Sequence, residues 1–181
     1  MRMKRRPLEL GAAAWGFAEA TVFFIVPDVL LSVAAIGRYR RALLACLWAT
    51  AGALLGGLAL WVLADADDWR ALFTALPAID ADMIRNANSR LAADGLGALF
   101  VGVLTGTPYK IFVIEARTLG FSLLPFLLVS IPARLFRFLV VTSLAAAFER
   151  LTRRWMHRHT QRLMVIGFWI AFYAWFFSVM P

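Results

Sequence analysis

Residues 102–137, GVLTGTPYKIFVIEARTLGFSLLPFLLVSIPARLFR, decide the fold of this chain, because they combine an apolar composition with charges and prolines. A run this apolar is typical of the hydrocarbon core of a bilayer. A Lys or Arg at the centre of a membrane helix costs roughly 2.5 to 3.5 kcal/mol, so it persists where it pairs or faces a polar cavity. The charged residues of the stretch are Lys110, Glu115, Arg117, Arg134 and Arg137. The stretch therefore predicts an intramembrane site for an anion.

The composition of the whole chain is that of an integral membrane protein. Of its 181 residues 62% are hydrophobic and 17% are charged, and the mean hydropathy is +0.74. Ordinary soluble domains are far less apolar. The net charge of +8 comes from short Lys and Arg clusters beside apolar runs. Such clusters are better explained by membrane topology and contact with membrane lipids, so we expect no nucleic-acid partner.

The two halves of the chain share one order of segments: a short apolar arm, a proline turn, a second arm, a glycine and a long span. Pro27 and Pro108 mark the turns, because proline removes a backbone donor and cannot continue a helix. The predicted arms are residues 15–26 and 28–36 in the first half and 96–105 and 109–120 in the second. Each arm is shorter than the roughly 20 residues of a spanning helix. We therefore predict two re-entrant helical hairpins in an inverted repeat.

We expect an all-α polytopic protein with a single membrane domain, residues 1–181, and about three transmembrane helices. Its predicted parts are repeat one at about 8–63, an outer amphipathic linker at 64–94, repeat two at about 95–148, a basic loop at 149–162 and a last span at 163–180. Within the linker, residues 69–76 predict a short interfacial helix, and a second helix is expected from Asp82. In the last span, Trp169 and Trp175 are interpreted as lipid-facing or packing residues.

The distribution of charge predicts which ends of the spans are cytoplasmic. If the first hairpin is re-entrant, the basic residues of 2–6 and the arginines of 38–41 lie on one side, as the positive-inside rule favours. The span after the second hairpin returns the basic loop to that side. The linker contains six Asp against three Arg, so we expect it on the outer side of a bacterial inner membrane. The N-terminus is then cytoplasmic.

Charges of opposite sign are expected to meet between the two halves. The first hairpin carries Glu19 and Asp28, whereas the second hairpin and its span carry Lys110, Arg134 and Arg137. The two arginines are three residues apart, so they share one helix face. Two interpretations stay open. The carboxylates pair with the arginines and only hold the helices together, or the cations bind a phosphate-sized anion, because arginine forks match phosphate oxygens.

The motifs that carry these charges resemble a known family. The first hairpin has the pattern E-x8-D with Pro27 before Asp28, the second has GTPYKIF, and the next span has SIPARLFRF. Over about residues 12–145 this order resembles the DedA/VTT (SNARE-associated) superfamily, and especially its small bacterial branch with a T-P-x-P-Y-K type hairpin. The resemblance implies two re-entrant hairpins and the movement of lipids across bilayers, including undecaprenyl phosphate and phospholipids.

The resemblance also implies the residues that bind substrate. They are Arg134, Arg137, Lys110, Glu19 and Asp28, with the hairpin turns at Pro27 and Pro108. The chain departs from the family at Glu115, Ala116 and Arg117, where the branch has small residues and a glycine, and at Ala133, where a glycine precedes the first arginine. We expect Glu115 and Arg117 to be exposed at the membrane interface. A charged site near the outer leaflet is the alternative.

The sequence contains no phosphate-binding glycine loop, nucleophile elbow, metal-ligand motif or nucleotide fingerprint. We therefore expect no enzyme, no cofactor and no metal, but a flippase or scramblase whose partner is an anionic lipid headgroup. Two alternatives stay open: a proton-coupled transporter of a small anion or metal oxyanion, and a structural membrane partner. The buried carboxylates allow protons as a further partner, and the sequence leaves a homo-oligomer open.

Overall fold

A computed structural model of the chain describes residues 7–63, 69 and 79–179. All regular structure in these ranges is helical. The helices described from end to end are α1 Pro7–Thr21, α2 Asp28–Ala35, α3 Tyr39–Leu63, α4 Ala81–Asp94, α5 Ala98–Thr105, α6 Tyr109–Thr118, α7 Leu123–Thr152 and α8 Arg158–Val179. Three of them, α3, α7 and α8, are long and apolar enough to cross a membrane. The predicted all-helical class is therefore confirmed, and these three helices fit the predicted association with a membrane.

A non-helical segment, residues 22–27, separates α1 from α2, and we call it the first break. The predicted arms were 15–26 and 28–36, so the break is wider than the single Pro27 from which it was inferred. The cause lies in the last turn of α1. There the first two N–H groups of the break both donate to the carbonyl of Ala18, at 2.9 and 2.8 Å, which ends the regular pattern of helical hydrogen bonds.

The second break, residues 106–108, separates α5 from α6 where Pro108 predicted it. Gly106 ends α5 with a φ of 84°, a left-handed conformation that glycine adopts without steric cost. The N–H of Thr107 then donates to the carbonyl of Gly102 at 3.1 Å, which completes a common helix C-terminal motif. The boundaries of this break follow from local sequence alone.

Helices α1 and α3 pack backbone against backbone at glycines. A Cβ atom added to Gly52 would lie 1.9 Å from the carbonyl oxygen of Ala13, and one added to Gly56 would lie 2.7 Å from that of Phe17. Only glycine permits so close an approach between helices. The later residue of α1, Phe17, faces the later glycine of α3, Gly56, so α1 and α3 run in the same direction.

Helix α7 runs antiparallel to α3. The hydroxyl groups of Tyr39 and Ser143 lie 3.1 Å apart near one end of the pair, whereas the rings of Trp61 and Phe126 lie 5.2 Å apart near the other. Helix α7 continues through Pro132 without a break. A basic loop was expected at 149–162, but α7 extends to Thr152 and α8 begins at Arg158. The polar residues of that region join the helices because arginine is a good helix former.

The turn between α2 and α3 contacts the turn between α7 and α8. The N–H of Gly37 donates to Oε2 of Glu149 at 2.9 Å, and Arg158 Nε donates to Oε1 of the same carboxylate at 3.2 Å. Arg162 Nη2 donates to the carbonyl of Ile36 at 3.0 Å. The arginines of 38–41 and the basic residues after α7 therefore lie at the same end of the bundle.

Helix α4 lies against α6 and buries a charge that was expected to be exposed. It begins after Asp80, whose side chain accepts from the N–H of Met83 at 2.6 Å, close to the start predicted at Asp82. Glu115 on α6 is 1% exposed, and its Oε2 accepts from Nδ2 of Asn88 at 2.6 Å. The expectation of an exposed Glu115 was wrong because α4 covers it and supplies a donor.

Arg117, the second charge that was expected to be exposed, is exposed. Its Nη1 donates to the carbonyl of Trp61 at 2.7 Å. This contact places the end of α6 beside the end of α3, opposite the arginine-rich end. Of the predicted interfacial helix at 69–76, only Trp69 lies within the described residues. It is helical and packs against a buried hydrophobic cluster to which α4 and α6 contribute.

Candidate functional site

The acidic residues of the first half pair with the basic residues of α7. Arg134 Nη2 donates to Oε2 of Glu19, and both side chains are buried. Arg137 Nε donates to Oδ2 of Asp28 at 2.7 Å, with Asp28 buried and Arg137 partly exposed. The structure thus pairs four of the five charges that were predicted to meet. Each pair offsets a buried charge that would be costly alone.

Arg134 lies between two aromatic rings. Its guanidinium carbon is 4.5 Å from the ring centroid of Tyr109 and 5.3 Å from that of Phe138. The Tyr109 hydroxyl donates to Oγ of Ser130 at 3.1 Å, which fixes the ring. The buried Nε of Arg134 has no hydrogen-bond partner among the described residues. The guanidinium therefore keeps one donor in addition to those that face Glu19.

Lys110 connects the two breaks. It is 1% exposed, and its Nζ donates to the carbonyl of Phe23 at 2.9 Å and lies 4.0 Å from the ring centroid of Phe24. Lys110 belongs to the first turn of α6, directly after Pro108. The charge of the second broken segment is thereby directed at the backbone of the first break.

Side chains from three helices hold the backbone of the first break. Besides Lys110, Trp15 Nε1 of α1 donates to the carbonyl of Ile25 at 2.7 Å. The N–H of Val26 donates to the hydroxyl of Tyr173 of α8 at 2.8 Å. Non-helical backbone that is shielded from water is stable only where such partners satisfy its polar groups. These three side chains supply them.

A cavity of about 220 Å³ lies between the two breaks. Six of the seven predicted site and turn residues line it, namely Glu19, Lys110, Arg134, Arg137, Pro27 and Pro108. The seventh, Asp28, is fully buried and pairs with Arg137, but it is not among the lining residues. The tertiary structure therefore collects on one surface residues that are more than a hundred positions apart in the sequence.

One wall of the cavity is an aromatic face of α8, of which the sequence interpretation had considered only Trp169, as a lipid-facing or packing residue. Its residues are Phe168, Trp169, Phe172, Tyr173 and Phe176. Their spacing of four and of one places them on a single helix face. That spacing was the available signal, but α8 is apolar on all sides beyond Arg162, so periodicity did not separate this face from the others. Trp175, which is exposed, fits the lipid-facing interpretation.

The arrangement is suited to an anion in an apolar setting. Three cationic side chains line the cavity, whereas the two carboxylates that pair with them leave one positive charge in excess when all five groups are ionised. Aromatic walls keep the local dielectric low, so a charge-assisted hydrogen bond is stronger there than in water. An anion with several oxygens can accept from the arginine forks and from Lys110.

The comparisons with known proteins give no function. No family model and no solved structure matches the chain. An uncharacterized protein of Haemophilus influenzae is 28% identical over 131 residues, which are 72% of this chain and 68% of that protein. An uncharacterized protein of Histophilus somni is 46% identical over 52 residues, 29% of this chain and 27% of that protein. The resemblance to the DedA/VTT superfamily therefore stays a prediction.

Proposed function

We propose that the protein moves an anionic lipid, such as undecaprenyl phosphate or a phospholipid, across the bacterial inner membrane. The observation that carries the proposal is the cavity between the two breaks, lined by Arg134, Arg137 and Lys110. Cationic side chains inside a membrane bundle are costly in free energy, and where they occur they usually mark a substrate or ion pathway. Arginine forks suit the oxygens of a phosphate headgroup.

The direction of the helices supports the proposal that both broken segments are re-entrant. Helices α1 and α3 run the same way, so the chain must return through α2 before α3 begins. In the second half, Gly57 lies against Tyr109 and Trp61 accepts from Arg117, so α6 also runs with α3. The four short helices have 15, 8, 8 and 10 residues, below the roughly 20 needed to span a bilayer.

An inverted repeat and membership in the DedA/VTT superfamily are proposed on the same grounds. Each half ends its broken segment at a glycine with positive φ, Gly37 at 82° and Gly120 at 78°, and then enters a long helix. Those long helices, α3 and α7, run in opposite directions. Repeats of opposite orientation with a site between broken helices are typical of transporters. The clustering of arginines at one end supports a cytoplasmic N-terminus.

In the proposed mechanism the carboxylates hold the arginines when no lipid is bound. A headgroup that enters the cavity replaces Glu19 as the partner of Arg134 and takes up the excess positive charge. Only the headgroup passes through the cavity, while the tails stay outside it. Protonation of a carboxylate would release its arginine and favour this exchange, so protons are proposed as the coupling ion.

The test is lipid flipping by the purified full chain in vesicles. The double variant Glu19→Gln, Arg134→Gln replaces a buried ion pair by two amides, so it removes the cation and leaves no unpaired charge. We expect it to fold and to lose flipping of a labelled anionic lipid. The matched control is Asp82→Asn, Arg85→Gln, which removes an exposed ion pair on α4. It should flip at the wild-type rate.

Flipping at the wild-type rate by the Glu19, Arg134 double variant would contradict the proposal. The alternatives have their own outcomes. A transporter of a small anion would take up inorganic phosphate or sulfate into sealed vesicles and leave the labelled lipid in place. A structural partner would keep its activity in the swapped variant Glu19→Arg, Arg134→Glu, because only the pair would matter.

A further inference from the structure

The cavity between the breaks is too small to hold a whole lipid. Its volume is about 220 Å³, whereas pockets that enclose an entire small-molecule ligand measure about 300 to 1,000 Å³. A phosphate-sized headgroup fits the cavity, but the hydrocarbon chain of the lipid does not. If the proposed function is correct, the hydrocarbon chain of the lipid must lie elsewhere on the protein or in the bilayer.

A second concave surface of about 530 Å³ lies between α2, α7 and α8, and we call it the groove. Most of its lining is aliphatic or aromatic, including Val141, Leu144 and Phe148 of α7 and Met164 of α8. Its two polar side chains bond to neighbours: Trp169 Nε1 donates to Oγ of Ser32 at 2.9 Å, and that hydroxyl donates to a carbonyl of α2 at 3.0 Å. The groove is therefore suited to hydrocarbon.

The groove adjoins the cavity. Phe168 and Trp169 line both, so these two side chains form the boundary between the cationic site and the apolar surface. The hydrogen bond to Ser32 fixes Trp169, and its ring stacks on that of Tyr173 with centroids 6.0 Å apart. A molecule with a charged head and an apolar chain can thus contact both surfaces across one aromatic boundary.

We propose that the groove binds one hydrocarbon chain of the lipid whose headgroup occupies the cavity. This inference rests on the proposed function and adds to it. Binding is directed by the headgroup, and one chain is held between α7 and α8 rather than among bulk lipids. Charge complementarity in the cavity, apolar lining in the groove and the shared boundary each match one part of such an amphiphile.

The test uses hexadecyl phosphate with a photoreactive group in the middle of its hydrocarbon chain. This probe is added to the full-length protein in nanodiscs of zwitterionic lipid. We expect cross-links at residues 141–148 and 164–168. An excess of unlabelled hexadecyl phosphate should remove them, and an excess of hexadecanol should not. Cross-links on an exposed face such as that of Leu55 should persist in both cases, because bulk lipid contacts that face.

Two matched variants sharpen the test. Leu144 lines the groove and is 64% exposed, whereas Leu124 on the same helix is 67% exposed and lines neither cavity nor groove. Leu144→Trp should lower the competed cross-linking at least about five-fold, because it displaces several methylene groups of the chain. Leu124→Trp should leave it unchanged. Binding of inorganic phosphate, measured by equilibrium dialysis, should be equal in both variants.

The two proposals can fail separately. Cross-links in the groove that hexadecanol removes as well as hexadecyl phosphate would overturn the inference, because the groove would hold only bulk lipid. An equal effect of the two tryptophan variants would overturn it as well. A protein that shows competed cross-links at Leu144 but moves no anionic lipid in vesicles would contradict the proposed transport and support the binding site.

Discussion

Arg134 is the residue at which the charges of the two halves meet. It pairs with Glu19, stacks near Tyr109 and keeps a buried Nε donor without a partner among the described residues. A buried ion pair contributes little net stability, since desolvation offsets the attraction between the charges. Removing one member is a different matter, because the other charge is then left buried and alone.

Arg134→Ala is therefore expected to destabilise the protein by about 3 to 5 kcal/mol. The double variant Glu19→Gln, Arg134→Gln should lose much less, because it leaves no uncompensated charge. Reversible chemical unfolding of the full chain in detergent measures both. Arg85→Ala, at an exposed pair, is the control and should change stability by less than about 1 kcal/mol. Equal losses in the single and double variants would contradict this account of the pair.

Tyr173 acts on the backbone of the first break. Tyr173→Phe removes the hydroxyl that accepts from the N–H of Val26 and leaves that donor unpaired. The expected cost is about 1 to 3 kcal/mol, together with faster amide hydrogen exchange at residues 22–27. Tyr39→Phe, which removes a hydroxyl from an exposed hydrogen bond, is the control. Unchanged exchange at the break in Tyr173→Phe would show that the bond does not hold it.

At the scale of helices, glycines determine how closely α1 and α3 approach. Gly52→Ala places a Cβ 1.9 Å from a backbone oxygen of α1, which cannot move without the whole helix. We expect a loss of about 1 to 3 kcal/mol or more. Gly167→Ala in α8 meets nothing within 4 Å and should be neutral or stabilising by up to about 1 kcal/mol. Thermal unfolding of both variants in one detergent compares them, and similar melting temperatures would refute the prediction.

The contact of α4 with α6 also lies at the scale of helices. Asn88→Ala removes one hydrogen bond to the buried Glu115. Because the loss of a hydrogen bond to a buried carboxylate is costly, we expect α4 to separate more often from α6. Limited trypsin digestion should then cleave after Arg85 and Arg90 several-fold faster than in wild type. The control is Asn86→Ala, at an exposed position of the same helix. Equal cleavage of the two variants would contradict a role of Asn88 in this contact.

At the scale of the whole molecule, the arginine-rich end and the end that carries α4 are expected on opposite sides of the membrane. Single cysteines at Arg154 and at Ser89 test this, because both positions are exposed and the native Cys46 is buried. In spheroplasts, whose inner membrane is intact, a membrane-impermeant maleimide should label Ser89→Cys and not Arg154→Cys. Labelling of Arg154→Cys alone would show the opposite orientation. Labelling of both would contradict the placement of the two ends on opposite sides of the membrane.

The sequence by itself determined the features that depend on local chemistry and composition. High hydropathy predicted a helical membrane protein, and the second break follows from Gly106 and Pro108, whose backbone preferences end one helix and start the next. Pro27 predicted an interruption, although not its width. The opposite charges of Glu19 and Arg134 also indicated that these residues would lie close together, since neither charge is stable alone in hydrocarbon.

Only the tertiary structure decided which apolar face lines the cavity and which charge is covered. Beyond Arg162 every face of α8 is apolar, so the choice of the face that carries Trp169 and Tyr173 came from its packing beside the first break. Glu115 is buried because α4, distant in sequence, supplies Asn88 as its donor. Local sequence reports what a segment can tolerate, but burial depends on which segments meet it, and that is a property of the folded chain.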